Sequence, residues 1–278
     1  MKFSILIANY NNGKFFKDCY QSIISQTYQD WEAIILDDKS TDDSLNVIRE
    51  MVKGDERFKI FEMPQNSGVG IVKAKLIELA TGKICSYVDP DDAIKQNAIT
   101  SAIEVFKNKP DTVLTYSRFI KCDSELKEIS ENKSAYQVLN GDKHFFNCPI
   151  VIKHFVCFRK DVYLKTEKMN PDMKIAEDQD LYLKMYEKGN VIFIDEANYL
   201  YRTHSGGISQ NENKAKSYEY WGEVIFNAMK RRKIKEINGV KIPEKFSGSK
   251  EIFKLLEYQN SLPYRIRKKI KIFLQQLF

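Results

Sequence analysis

The amino-acid sequence predicts an α/β protein: a single, mostly parallel open sheet flanked by helices, with a basic helical region appended on the C-terminal side. Three observations carry this. Short apolar runs alternate with helix-patterned segments over the first 118 residues, the rhythm of βαβ units. The charge is unevenly spread: residues 214–278 hold 16 basic and 6 acidic side chains, against 28 basic and 32 acidic in the remainder. Finally, 278 residues that are 43% apolar and 12% aromatic can bury a sizeable core and exclude a disordered or collagenous chain.

The elements follow in order. Phe3-Ser-Ile-Leu-Ile-Ala8 is an apolar run stopped by Asn9-Tyr10-Asn11-Asn12-Gly13, which reads as a buried strand. A helix is expected over 15–26 and a second strand over 32–36, ending at Asp37-Asp38. Ser40-Thr41 offer an N-cap for a helix reaching about Val52. A third strand is expected at 58–62, and Gln65-Asn66-Ser67-Gly68 turn into a helix that ends near Gly82. Residues 84–88 read as a fourth strand, stopping at Asp89-Pro90-Asp91-Asp92. A helix at 95–107 and a strand at 112–117 follow. Residues 121–150 lack periodicity. A helix is expected at 178–188, a short strand at 191–194, and helical basic sequence beyond about 210.

Cys19, Cys85, Cys122, Cys148 and Cys157 are scattered with no CxxC pair, so free thiols are expected and a zinc site is not. No apolar stretch approaches the roughly 20 residues of a membrane span. Met1-Lys2-Phe3-Ser4-Ile5 leads straight into a strand-like run, without the apolar segment of a leader peptide. The expected location is cytoplasmic, with the inner face of the cell membrane as an extension.

Three expected strands end in polar clusters: Asn9-Tyr10-Asn11, Asp37-Asp38 and Asp89-x-Asp91-Asp92. Open parallel sheets bind ligands beyond the carboxyl ends of their strands, so these clusters should converge. Crowded carboxylates repel unless a cation or hydrogen bonds offset the charge. Carboxylates with waters and phosphate oxygens suit Mg²⁺ or Mn²⁺, and such an ion would hold an anionic group such as a diphosphate. Asp42 and Asp43 read as ordinary turn formers.

Ile5-Leu-Ile-Ala-Asn-Tyr-Asn-Asn12, Ile34-Ile-Leu-Asp-Asp-Lys-Ser-Thr-Asp-Asp-Ser44, Asn66-Ser-Gly-Val69 and Tyr87-Val-Asp-Pro-Asp-Asp92 resemble the successive motifs of family 2 glycosyltransferases with the GT-A fold. Phe158-Arg159-Lys160, Ala176-Glu177-Asp178-Gln179-Asp180-Leu181 and Tyr201-Arg202-Thr203-His204 resemble later motifs of the same family, so the likeness spans roughly residues 3–209. It implies a catalytic domain over 1–210, with a nucleotide-sugar-binding half at 1–118 and an acceptor-binding half at 119–210, followed by a basic helical region at 211–278.

The resemblance also implies inverting transfer from a nucleotide-sugar, most simply a UDP-sugar, to a glycan or lipid-linked acceptor of the bacterial surface. Carried over by position, Tyr10 packs against the base while Ala8 and Asn9 offer backbone contacts. Asp38 accepts from the base. Asn66, Gly68 and Lys73 belong to the donor site, with Lys73 standing where the family usually has arginine and so losing the bidentate fork. Asp89, beside Pro90, holds the ribose. Asp91 binds Mn²⁺ or Mg²⁺, and His204 supplies a further ligand or a diphosphate contact. Asp178, next to Glu177, is the catalytic base. An acceptor hydroxyl has a very high pKa, so a carboxylate must take its proton as the new bond forms.

Blander roles stand beside these. Asp178 can simply N-cap its helix, with Glu177 or Asp180 as the base. His204 can be a loop histidine bonded to backbone, although Ser205-Gly206-Gly207-Ile208-Ser209 reads as a mobile flap over the site. Tyr10 can be strand-edge packing. Two other functions fit the same strand ends: a catalytically inactive nucleotide-sugar-binding protein, and a sugar nucleotidyltransferase. The latter would need a glycine-rich basic loop where Asn9-Tyr10-Asn11-Asn12-Gly13 stands.

In the tail, Ile266, Ile270, Phe273, Leu274 and Leu277 fall on one helical stripe among Arg265, Arg267, Lys268, Lys269 and Lys271. Such a helix, over residues 264–278, either lies on an anionic membrane or docks its stripe on the domain. Lys230-Arg-Arg-Lys-Ile-Lys235 is basic too, but no nucleic-acid motif accompanies it, and nucleic acid is not an expected partner. The sequence leaves the oligomeric state open.

Overall fold

The computed structural model describes residues 1–204 and 214–277. The chain begins with β1 (Phe3–Asn9), α1 (Phe16–Ile24), β2 (Trp31–Asp37), α2 (Ser44–Val52), β3 (Phe58–Glu62), α3 (Val69–Leu79) and β4 (Ile84–Tyr87). It continues through β5 (Ala93–Ile94), α4 (Ala98–Asn108), β6 (Thr112–Cys122), β7 (Glu128–Glu131), β8 (Cys157–Arg159), α5 (Lys160–Tyr163), α6 (Glu177–Tyr186) and β9 (Asn190–Arg202). The C-terminal part holds α7 (Lys214–Arg231), a hairpin of β10 (Glu236–Ile237) and β11 (Val240–Lys241), α8 (Ser249–Leu256) and α9 (Leu262–Leu277).

Among the described residues, nine strands form one sheet in the order β3-β2-β1-β4-β8-β6-β9-β5, with β7 pairing off this path to the C-terminal end of β6. The expected α/β architecture with flanking helices is present. Parallel pairing holds through β3-β2-β1-β4 and again between β6 and β9, whereas β8, β5 and β7 pair antiparallel. The three-residue β8 closes the gap between β4 and β6.

Side chains alternate across the sheet. Phe3, Ile5 and Ile7 of β1, with Trp31, Ala33 and Ile35 of β2, join Phe16, Ile48, Ile99 and Phe106 in the core on one face. Leu6, Ile34 and Leu36 point the other way into a core with Val72, Leu76, Leu181 and Met185. This period of two, buried on both faces, is what reads as a continuous apolar run in sequence. Val224, Ile225, Ala228 and Met229 of α7 are wholly buried in that second core, so the basic C-terminal helices pack on the sheet's helical layer.

Several local expectations differ: the strand expected at 112–117, for example, runs on to Cys122. The N-cap of α2 is Asp43, because Ser40 is used elsewhere: its hydroxyl donates to Asp37 and accepts from the Asn11 N–H. The strand expected at 191–194 runs on to Arg202. Asp195, Glu196 and Asn198 interrupt its apolar pattern, yet the parallel ladder with β6 supplies the backbone partners that local pattern does not reveal. The five cysteines are free. Among the described residues no helix is long and apolar enough to cross a membrane.

Candidate active site

The carboxyl ends of β1, β2 and β4 form a common rim, because β1 pairs in parallel with both neighbours and Asn9 lies in register with Asp37. The loops after β1 and β2 are tied together. Asn9 Nδ2 donates to Asp37 Oδ1 at 2.7 Å, the Asp38 N–H donates to the Asn9 carbonyl at 2.8 Å, and Asn11 Oδ1 accepts from the Thr41 N–H at 2.9 Å. Ala8 and Asn9 lie at the end of β1, and Tyr10 follows, 43% exposed and available for a planar ligand. Asp38 is buried, and its two oxygens accept from the N–H groups of Ser67 and Gly68, each at 2.8 Å. Asn66 donates to the Asp38 carbonyl. The loop before α3 thus locks onto the end of β2.

The turn after β4 gathers three carboxylates. The Asp92 N–H bonds to the Asp89 carbonyl, with Pro90 buried between. Burial, and then the neighbouring Asp89, raises the Asp91 pKa; Asp92 is raised further by burial, Asp89 and Asp91. Asp91 Oδ2 lies 2.9 Å from His204 Nε2. Arg202, 4% exposed, clamps the turn. Its backbone N–H bonds Asp92, its Nε bonds the Asp91 carbonyl, and a terminal nitrogen pairs with Asp18 at 2.6 Å. Tyr199 adds its hydroxyl as acceptor for the Asp89 N–H. Asp92 is therefore a structural residue of the turn, and Asp89 and Asp91 are the half-buried acids of the rim.

The donor set at Asp91 and His204 fits a hard divalent cation. One carboxylate and one imidazole face each other, in a cluster where crowding already disfavours three negative charges. Among the described residues no third His, Cys, Asp or Glu completes a ligand group with them. Such an ion would keep several positions for waters and phosphate oxygens, the habit of Mg²⁺ and Mn²⁺.

α6 begins beside this rim. Its N-cap is Ala176, in the left-handed region at φ 63°, so Asp178 is the second helical residue and not the cap. The three acids of its first turn have different partners. Glu177 pairs with Lys73 at 2.6 Å, and Asp180 pairs with Lys184 at 2.5 Å and Arg231 at 3.4 Å. Asp178 accepts from the Gln179 N–H at 2.8 Å, is half-buried, and among the described residues has no cation within ion-pair distance. Burial alone would depress the Lys73 pKa, but Glu177, Asp89 and Asp178 outweigh it and keep the ammonium charged. Lys73 thus stands among the carboxylates of both halves of the rim.

Gly70 brings α3 close to this region. A Cβ there would lie 2.5 Å from the Met173 carbonyl, so the segment leading into α6 packs directly on the α3 backbone. His154 is a buried neighbour of these acids that sequence reading missed. Its ring stacks on Tyr199 at 4.6 Å, and burial lowers its pKa while Asp89 and Asp178 act in the opposite sense. Only the influence of Asp89 and Asp178 on its ring marks it, and sequence spacing does not show that. Arg202 was visible within the Tyr201–His204 motif, but its grip on Asp91 and Asp92 was not. The segment Ser205–Ser209, expected as a flap, lies outside the described residues.

A parallel sheet edge with a polar Asn-Tyr-Asn turn after its first strand and acids after its second and fourth, opposite a helix that starts with further acids, is the layout of a nucleotide-sugar-dependent transferase. The family model described as Glycosyl transferase family 2 matches residues 4–166, and the chain belongs to that family and has its GT-A fold. Among curated relatives it is 25% identical over 221 residues to the glycosyltransferase GlyG of Streptococcus pneumoniae serotype 4, covering 75% of this chain and 73% of GlyG. It is 24% identical over 213 residues to the putative teichuronic acid biosynthesis glycosyltransferase TuaG of Bacillus subtilis, covering 76% and 83%. Among solved structures, S. aureus TarS 1-349 in complex with UDP-GlcNAc superposes with a TM-score of 0.67 at 18% identity, over 92% of this chain and 70% of that one.

Proposed function

We propose that this glycosyltransferase is inverting, takes a UDP-sugar as donor, and transfers to a hydroxyl of a glycan or lipid-linked acceptor in bacterial envelope assembly. The observation that carries the reading is the state of Asp178. Of the three acids opening α6, it is the one that no described cation pairs with, and its charge, like that of Asp89, acts on the Lys73 ammonium. TuaG and the UDP-GlcNAc complex of TarS support the substrate class.

In this reading Tyr10 stacks on the base, with Ala8 and Asn9 contributing backbone groups. Asp38, fixed by Ser67 and Gly68, presents its remaining lone pairs to the base. Asn66 and Gly68 shape that pocket, and Asp89, braced by Pro90 and Tyr199, holds the ribose. Asp91 and His204 would hold Mn²⁺ or Mg²⁺, which as a Lewis acid stabilises the charge growing on the leaving diphosphate. Lys73 shares its positive charge between Glu177 and that diphosphate. Asp178 accepts the acceptor hydroxyl's proton as the oxygen attacks the anomeric carbon from the face opposite the leaving group, which inverts the configuration.

The test is thermal stability of the purified chain with UDP and Mn²⁺, followed by a panel of nucleotide-sugars read by released nucleotide. The melting temperature is expected to rise with UDP and Mn²⁺ together, and Asp91→Ala should remove the shift. No stabilisation by any nucleoside diphosphate, with or without metal, would overturn the donor site. Pyrophosphate release from a nucleoside triphosphate would point to a nucleotidyltransferase.

A further inference from the structure

Helix α9 is docked by the face opposite its apolar stripe. On the inner face Tyr264 packs on Tyr258 with ring centres 5.1 Å apart, and Lys268 lies 5.4 Å from the Phe145 ring centre. Ile272 is buried, and Gln275 exchanges two hydrogen bonds with the backbone of Asn140. These four recur every three or four residues and hold the helix against the domain. The stripe itself remains outside: Leu262 is 67% exposed, Ile266 49%, Ile270 55%, Phe273 62%, Leu274 49% and Leu277 60%.

At about 100° per residue, Arg265 and Lys269 fall along one edge of this stripe and Arg267 and Lys271 along the other. Residues 262–277 contain five basic side chains and no acidic one. An apolar strip bordered on both sides by cations is the amphipathic pattern that sinks into the headgroup boundary of an anionic bilayer, with the basic stems reaching out to lipid phosphates. A second copy of the chain is a poorer occupant, because pairing two such helices would set like charges along both edges.

We propose that α9 is a membrane-docking surface: it lies in the plane of an anionic lipid bilayer, apolar stripe inward, and ties the enzyme to the membrane without crossing it. This goes beyond the proposed reaction and does not depend on it.

The experiment is co-sedimentation of the whole chain with phosphatidylcholine vesicles, with and without phosphatidylglycerol. Binding is expected only to the anionic vesicles, and it weakens as salt rises. Lys269→Gln with Lys271→Gln lowers the partition coefficient roughly 25-fold. Ile266→Gln with Ile270→Gln and Phe273→Gln abolishes binding. Both variants keep the parent melting temperature and the parent nucleotide-sugar hydrolysis, since all five side chains are exposed. Absence of parent binding to anionic vesicles, or undiminished binding of the triple variant, overturns the proposal. So does a vesicle-free dimer in sedimentation velocity that the triple variant turns into monomer, which would assign the stripe to a second copy.

Discussion

Lys73 Nζ lies 2.6 Å from Glu177 Oε1, joining α3 to the first residue of α6 across 104 positions of sequence. Both side chains are largely buried, at 12% and 9% exposure. The pair sets where α6 starts relative to the strand-end acids, and therefore where Asp178 stands.

Breaking this pair from one side should be costly. Lys73→Met leaves Glu177 buried without its cation beside Asp178, and is expected to destabilise the fold by about 3 kcal/mol. Glu177→Gln in the same chain removes the stranded charge and should recover much of that loss. Denaturant titrations of the two single variants and the double variant measure the coupling; additive effects would show that the ion pair is not what joins the helices.

Asp178→Asn keeps the size of the side chain and removes its basicity. Turnover of donor with acceptor is expected to fall by about 10²- to 10⁴-fold, the usual weight of a general base. UDP binding should stay at the parent level, because none of the proposed donor contacts is made by Asp178 itself. Retained turnover would move the base to another residue.

Gly70→Ala tests the close approach of α3 to the segment before α6. The added methyl meets the Met173 carbonyl, a backbone atom that moves only with its chain. The expected cost is about 1–3 kcal/mol, as for other overpacked contacts, together with a lower kcat from a displaced Asp178. An unchanged melting temperature and kcat would show that this contact does not position α6.

Glu32 offers a pH test away from the site. Burial raises its pKa, but Lys59, Ser4 and Thr81 outweigh that and hold the carboxyl below its usual range. A depressed folded-state pKa adds stability that is present above the unfolded value of about 4.3 and fades as the pH drops through the folded one. Glu32→Gln is therefore expected to cost about 2 kcal/mol near neutrality. The gap from the parent should narrow as the pH is lowered below about 4. A gap independent of pH would assign the loss to packing.

The strand ends were legible because each depends on a few consecutive residues. An apolar run halted by Asn9, by Asp37-Asp38 or by Asp89-Pro90-Asp91 marks a buried strand and its exit, and parallel pairing brings such exits to one edge. The expected helices of the first 110 residues likewise match α1 to α4 within a few positions at each end, apart from the α2 cap, which falls to Asp43 while the Ser40 hydroxyl bonds Asp37. β5 and β8 were not legible: at two and three residues they are defined by the strands they lie beside, not by their own pattern.

Sequence by itself determined the α/β class, the acidic rim and the amphipathic character of the last helix, since periodicity and chain exits are local properties. Tertiary structure decided which carboxylate of the Glu177-Asp178-x-Asp180 turn is left without a cation, because the neutralising Lys73 and Arg231 arrive from distant helices. It also decided that Arg202 grips the Asp91 turn and that α9 docks by Tyr264, Lys268, Ile272 and Gln275. Ion pairing and docking depend on distances in space, and residues far apart in the chain acquire those distances only when the two cores close around the sheet.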